Sequence, residues 1–181
     1  MPENEILIAS MRLIDFDDIQ LLRYWRNLDH VRNRMIIKNL IHRDEQRKWF
    51  DSITNESTRY FIFSLGMNDI GCANLKEIDF YEKTFEGGIF CGDAQYLNHW
   101  INIWACLQIY DHAFFKLKLA TSYATILIDN KVAVNLNEAL GYEFVGYADG
   151  DKGRFTLTRS RYIESTEKIR RYLHDFAKQP A

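Results

Sequence analysis

The period of the apolar positions changes along the chain. From Trp100 to Leu117 they fall at 100, 103, 104, 107, 110, 114 and 117, the spacing of one helix face, with further apolar residues between them. That pattern predicts a long helix buried on more than one side. Ahead of it, "RYFIFSL" (59–65) and "IGCANLKEI" (70–78) flank Gly66-Met67-Asn68-Asp69 and predict a hairpin, and "FEGGIFCG" (85–92) predicts the next strand. Behind it, the β-branched run "TSYATILI" (121–128) predicts a buried strand, and a short helix runs from Asn130 to Leu140, with Gly141 placed as a left-handed cap.

Towards the N-terminus, Ile6, Ile8, Met11 and Leu13 sit on a loose strand pattern over residues 5–14. "DFDDIQ" then supplies acidic first-turn residues for a helix carrying Ile19, Leu22, Trp25 and Leu28. A second helix is predicted over Asp44 to Ile53, with Trp49 and Phe50 inward. Towards the C-terminus, strands near 142–147 and 154–162 flank "ADGDKG", and a helix follows over 164–178. Hairpins with interspersed helices predict an α+β fold with a mixed, mostly antiparallel sheet of about seven strands in one domain spanning 1–181. A chain of 181 residues buries enough surface for a core without staples.

Composition removes several classes of function. The three cysteines, Cys72, Cys91 and Cys106, follow no metal or disulfide spacing, which suits a reducing compartment and predicts no metal. No apolar run approaches the roughly 20 residues that span a bilayer, and "MPENEILIAS" lacks a basic start followed by an apolar stretch, so a cytoplasmic protein with no membrane partner is expected. Net charge is −2, but residues 61–150 hold 5 Lys/Arg against 11 Asp/Glu. Nucleic acid is therefore not an expected partner, because phosphate backbones are bound through clustered cations. Oligomeric state, monomer or homodimer, is not legible.

The order strand, loop, long helix, strand, short helix, closing on "EALGY" (138–142), resembles the Gcn5-related N-acetyltransferase superfamily over about residues 5–163. "LLRYWRNLDHVRNRM" and "IHRDEQRKWFDSI", with Arg26-Asn27, Met35 and Trp49-Phe50, are similar to the branch of ribosomal-protein N-terminal acetyltransferases. They are closer still to the nucleotide-amino-sugar N-acetyltransferases of pseudaminic acid synthesis. The resemblance implies a V-shaped splay between the fourth and fifth strands that receives acetyl-CoA. Pantetheine would lie along Phe90, Cys91 and Gly92, and the pyrophosphate would rest on amides from Leu97, Asn98, His99, Trp100, Ile101 and Asn102 at the start of the long helix. Asn130 matches a cofactor-contacting asparagine, and is equally an N-cap.

Two positions depart from the family pattern. Leu97, Asn98, Trp100 and Asn102 stand where an Arg and three Gly are usual. Trp100 there either fills the core or stacks on the cofactor, and His99 either donates to a phosphate or is a surface residue. Asn137 stands where a tyrosine usually protonates the departing thiolate, leaving that proton to water or Tyr142. Glu86 matches a carboxylate that accepts the proton of the attacking ammonium through water, with Glu77 and Asp79 as competitors. Arg26, Met35 and Glu77 are the acceptor-side candidates, Arg26 for a diphosphate or carboxylate. The expected activity is acetyl transfer from acetyl-CoA to a primary amine, on a nucleotide-linked amino sugar in surface-glycan synthesis. The alternatives are a protein N-terminus as acceptor, or a degenerate acyl-CoA-fold module without catalysis.

Overall fold

The computed structural model describes residues 8–176. β1 (Ala9–Leu13) leads through a 3-10 turn (Phe16–Asp18) into α1 (Ile19–Asn27), α2 (Asp29–Arg32) and α3 (Arg43–Ile53). β2 (Arg59–Leu65), β3 (Asn68–Asp79) and β4 (Thr84–Cys91) form a meander, followed by α4 (Trp100–Asp111). β5 (Thr121–Leu127), α5 (Lys131–Leu140), β6 (Glu143–Tyr147), β7 (Lys152–Thr158) and α6 (Arg159–Phe176) complete the chain.

The seven strands lie in the order β1-β2-β3-β4-β5-β7-β6, and each neighbouring pair is antiparallel except β4 with β5. That parallel pair is short: Thr84 faces Thr121, Phe85 faces Ser122 and Glu86 faces Tyr123. Beyond it β4 stays with β3 as far as Cys91, and β5 stays with β7 as far as Leu127. Each strand keeps its outer partner while their facing edges part, which opens the splay. The main core fills the face towards α4 and α6 with Phe63, Leu75, Phe85, Tyr110, Phe114 and Tyr162, and a smaller one joins Ile62 and Cys72 to Leu22 and Trp25 of α1.

The strand expected over 154–162 stops at Thr158. Thr158 Oγ1 accepts the Arg161 N–H at 3.4 Å, and the helix begun there buries the Tyr162 ring 5.1 Å from that of Phe114. The helix expected from Trp100 to Leu117 is regular only to Asp111, then widens into a π turn over His112–Lys116. The expected strand start at 5–7 and helix end at 177–178 lie outside the described residues. Among the described residues, no helix is long and apolar enough to cross a membrane.

Candidate active site

A cavity of about 890 Å³ lies between the α1 to α3 segment and the sheet and continues through the splay to α4 and α5. Its floor follows the two-residue period of a strand pair: Cys72 faces Phe90, Asn74 faces Gly88 and Lys76 faces Glu86, and all six line it. Gly87 and Gly88 matter for the side chains they admit. A Cβ on Gly87 would stand 2.5 Å from the Tyr110 hydroxyl, and one on Gly88 would stand 3.0 Å from Asn74 Oδ1. Two successive missing side chains thus let Tyr110 and Asn74 close on β4 from opposite faces.

Glu86 sits at the last rung before the splay, with Oε1 accepting from Lys76 Nζ at 2.7 Å. Glu77 lies outside the cavity: Lys76 points in, so its successor points out, and a bulge with φ of 49° exposes it. Asp79, also outside, accepts the N–H groups of Tyr81 and Glu82 in the following turn. Arg26 and Met35 both line the cavity. The Arg26 guanidinium lies 6.0 Å from the Phe90 ring centroid, and its Nη1 is buried without a hydrogen-bond partner. Burial lowers its affinity for a proton, although a guanidinium stays charged at neutral pH.

The segment ahead of α4 divides. Leu97 and Asn102 line the cavity together with Phe90 and Cys91, whereas Gly92, Asn98, His99, Trp100 and Ile101 do not. Gly92 is packed against Trp25, its N–H donates to the Ile70 carbonyl at 2.8 Å, and Trp100 packs against the main core. His99 caps the helix: Nδ1 accepts the Ile101 N–H at 3.3 Å, and its carbonyl accepts the Asn102 N–H at 3.2 Å. With the Leu97 and His99 N–H groups donating to the Ala94 and Tyr96 carbonyls, four of the six amides expected to receive phosphate are already bonded within the turn. Asn102 Nδ2 donates to the Tyr96 and His99 carbonyls, while its Oδ1 is buried and unpartnered. That acceptor, beside strand edges without partners, fits the amide-bearing pantetheine arm of an acyl-CoA. Residues 92–102 carry no Lys or Arg, so a diphosphate finds less than in a basic, glycine-rich turn.

Across the splay, Asn130 accepts the Ala133 N–H at 3.3 Å and donates to the Arg34 carbonyl at 3.3 Å, capping α5 and tying it to the loop after α2. Asn137 lines the cavity with its Nδ2 donating to the Ala133 carbonyl at 2.8 Å. Tyr142 does not reach the cavity. Its hydroxyl is buried against Tyr110 at 2.8 Å and Ser122 at 2.5 Å, and Tyr110 is the member of this chain that lines the wall. The thiols of Cys72, Cys91 and Cys106 also line the cavity, but burial pushes them up to about 12, 11 and 12. Thiols that remain protonated are poor nucleophiles, so the site favours direct transfer over an acyl-cysteine. Among the described residues, no three His, Cys, Asp or Glu are grouped to hold a metal ion.

Sequence reasoning missed Asn74, Lys76, Tyr60 and Tyr110 as cavity residues. Pairing Glu86 across the hairpin would have found Lys76 and Asn74, because cross-strand neighbours share a face.

A family model described as "Acetyltransferase (GNAT) domain" matches residues 6–143. No curated protein matches the chain. Among solved structures, a domain from Methanocaldococcus jannaschii is similar with a TM-score of 0.74 and 18% identity, covering 84% of this chain and 99% of that one. The spermidine N-acetyltransferase from Vibrio cholerae in complex with CoA and spermine has a TM-score of 0.73 and 20% identity, covering 86% and 98%. A dodecameric structure of the same Vibrio cholerae enzyme gives 0.70 and 19%, covering 88% and 98%. At such identities the likeness is one of fold.

Proposed function

The chain belongs to the GNAT acetyltransferase domain family, N-acetyltransferases whose donor is acetyl-CoA, and we propose that its acceptor is a primary amine on an anionic molecule, foremost a nucleotide-linked amino sugar. The observation that carries this reading is Arg26, a guanidinium in the acceptor half with a buried, unpartnered nitrogen and no carboxylate partner among the described residues. A desolvated cation left unpaired is costly unless an anion completes it, and its planar fork suits a diphosphate. The charged residues lining the cavity are Arg26, Arg34 and Lys76 against Glu45 and Glu86, and Glu86 is already ion-paired. The Vibrio cholerae neighbour carries spermine, but a polyamine wants several free carboxylates, which this lining does not offer. A protein N-terminus fares no better by the same criterion.

When bound, acetyl-CoA supplies an activated acetyl carbon and a sulfur leaving group. In the transfer a C–N bond forms and the C–S bond breaks, the amine loses a proton and the sulfur gains one. Glu86 is placed to take the amine's proton through water, held in orientation by Lys76. Asn137 cannot supply the sulfur's proton, since an amide is not an acid of useful strength, which leaves solvent or the Tyr110 hydroxyl at the cavity wall. A backbone N–H of the β4 edge freed by the splay is the candidate for the developing oxyanion.

The test is CoA release with a UDP-linked 4-amino sugar, with spermidine and with an N-terminal peptide. The first is expected to give the highest kcat/KM, and Arg26→Gln is expected to raise its KM about tenfold or more while leaving spermidine unaffected. Preference for spermidine would overturn the anionic acceptor. No acetyl-CoA binding at millimolar concentration by calorimetry would overturn the enzyme and favour a binding module.

A further inference from the structure

Arg26 Nη1, Asn74 Oδ1 and Asn102 Oδ1 are buried without a hydrogen-bond partner among the described residues, and all three residues line the one cavity. Arg26 is accounted for by the acceptor's anion, and Asn102 belongs to the turn ahead of α4. Asn74 is different. Its side chain is only 8% exposed, it sits mid-strand on the cavity floor, and neither its oxygen nor its nitrogen has a hydrogen bond to any described residue. A buried acceptor oxygen with nothing to bond destabilises the fold relative to an apolar group of the same size. Its place therefore points to a group that arrives from outside.

Its surroundings define that group. Asn74 faces Gly88, whose missing Cβ lets the carboxamide lie against β4, and Glu86 stands one rung further along the same face, roughly 7 Å away by the rise of a strand. The splay opens directly after Glu86, and Asn74 and Glu86 both line the cavity that leads to it. We infer that Asn74 receives the reacting amine: Oδ1 accepts an N–H of the neutral amine and turns its lone pair towards the acetyl carbon. Glu86, through water, takes the proton the ammonium first carried. The uncharged carboxamide is suited to this step. A carboxylate in its place would stabilise the ammonium, which has no lone pair to attack with, whereas an amide oxygen orients the amine with far less bias towards the charged form.

The inference rests on the preceding reading only in requiring an amine acceptor; it does not depend on what the amine is attached to. The charged and titratable groups that line the cavity with Asn74 are Arg26, His30 and Arg34 from α1, α2 and the loop after it, Glu45 from α3, Tyr60 from β2, Cys72 and Lys76 on β3, Glu86 and Cys91 from β4, and Cys106 and Tyr110 from α4.

Two variants test it, assayed as the full chain with the UDP-linked 4-amino sugar and with spermidine. Asn74→Leu removes the hydrogen bond while filling the space. It is expected to lower kcat/KM about tenfold or more for whichever amine turns over, to leave acetyl-CoA affinity by calorimetry unchanged, and to raise Tm by a few degrees. Asn74→Asp is expected to move the rise of kcat to higher pH, because the added charge holds the bound amine as ammonium, and the deficit against the wild type should shrink there. Arg26→Gln is read as a KM change for the UDP-linked sugar and Asn74→Leu as a loss for whichever amine turns over, so failure of the anionic-acceptor reading and failure of this one look different. An unchanged or lower Tm for Asn74→Leu with normal kcat/KM would assign Asn74 to the fold and overturn the inference. If no amine turns over, the sign of that Tm change alone decides between the two.

Discussion

At the scale of single residues, Glu86 is both an ion-pair partner and a candidate base, and magnitudes separate the two roles. A half-exposed pair such as Glu86 with Lys76 is worth about 0–1 kcal/mol, whereas general base catalysis contributes about 10²–10⁴-fold in rate. Glu86→Gln keeps the shape, so kcat/KM near neutral pH is expected to fall by ~10²-fold or more while acetyl-CoA affinity holds. The deficit should narrow at high pH, where the amine loses its proton unaided. Wild-type pH dependence in the variant would remove Glu86 from the chemistry. Asn137 illustrates the opposite case: its amide donates to the Ala133 carbonyl of its own helix, which gives it a local role in the fold.

At the scale of elements, the start of α4 is held by a histidine acting as an N-cap, and this makes the turn sensitive to pH. His99 Nδ1 can accept the Ile101 N–H only while unprotonated, and burial lowers the histidine from its ordinary value of 6.5. A lowered value means that the folded state disfavours the proton, so the contribution is present above 6.5 and is lost as pH falls from there through the folded value. The helix dipole adds to the effect, since a cation is unfavourable at an N-terminus. His99→Asn keeps a good N-cap without a titratable ring. Thermal melts at pH 7.5 and 5.5 are expected to show a smaller acid loss in the variant, by about 2–4 °C for a cap worth ~1 kcal/mol. An equal loss in both proteins would place the sensitivity elsewhere, His112 being the other histidine that burial lowers.

For the whole molecule, α4 packs on β4 and β3 beside the splay, and α6 is tied to its end. Asp111 at the end of α4 accepts from Arg170 at 2.6 and 2.9 Å and from the Tyr162 hydroxyl at 2.9 Å, joining the two helices around the ring of a buried tyrosine. Removing one member of a charged, partly buried network leaves the others unsatisfied, at about 1–3 kcal/mol. Asp111→Ala is therefore expected to lower Tm by roughly 2–12 °C for a chain of this size, with acetyl-CoA affinity unchanged because Asp111 does not line the cavity. A loss of affinity at an unchanged Tm would reverse that assignment.

The alternation and helical periods of the chain were enough to place seven strands and most of the helices, because burial on a sheet face or helix face writes itself directly into which positions are apolar. They were also enough to put Gly141 at a helix end, where φ is 101°. The extent of the last strand was not legible, since the aromatic and apolar residues near Tyr162 suit a strand or a buried helix face equally. Nor could alternation alone show that Glu77 turns away from the cavity, because which face of the strand lines it is fixed by the pairing of Lys76 with Glu86. What only the tertiary structure decided is which polar groups are left without partners. The resemblance marks Arg26 and Asn102 as candidates and Asn74 reads as an ordinary polar position, but none of the three shows in the sequence as unsatisfied, because hydrogen-bond satisfaction is a property of everything that folds around an atom, not of the residue that carries it.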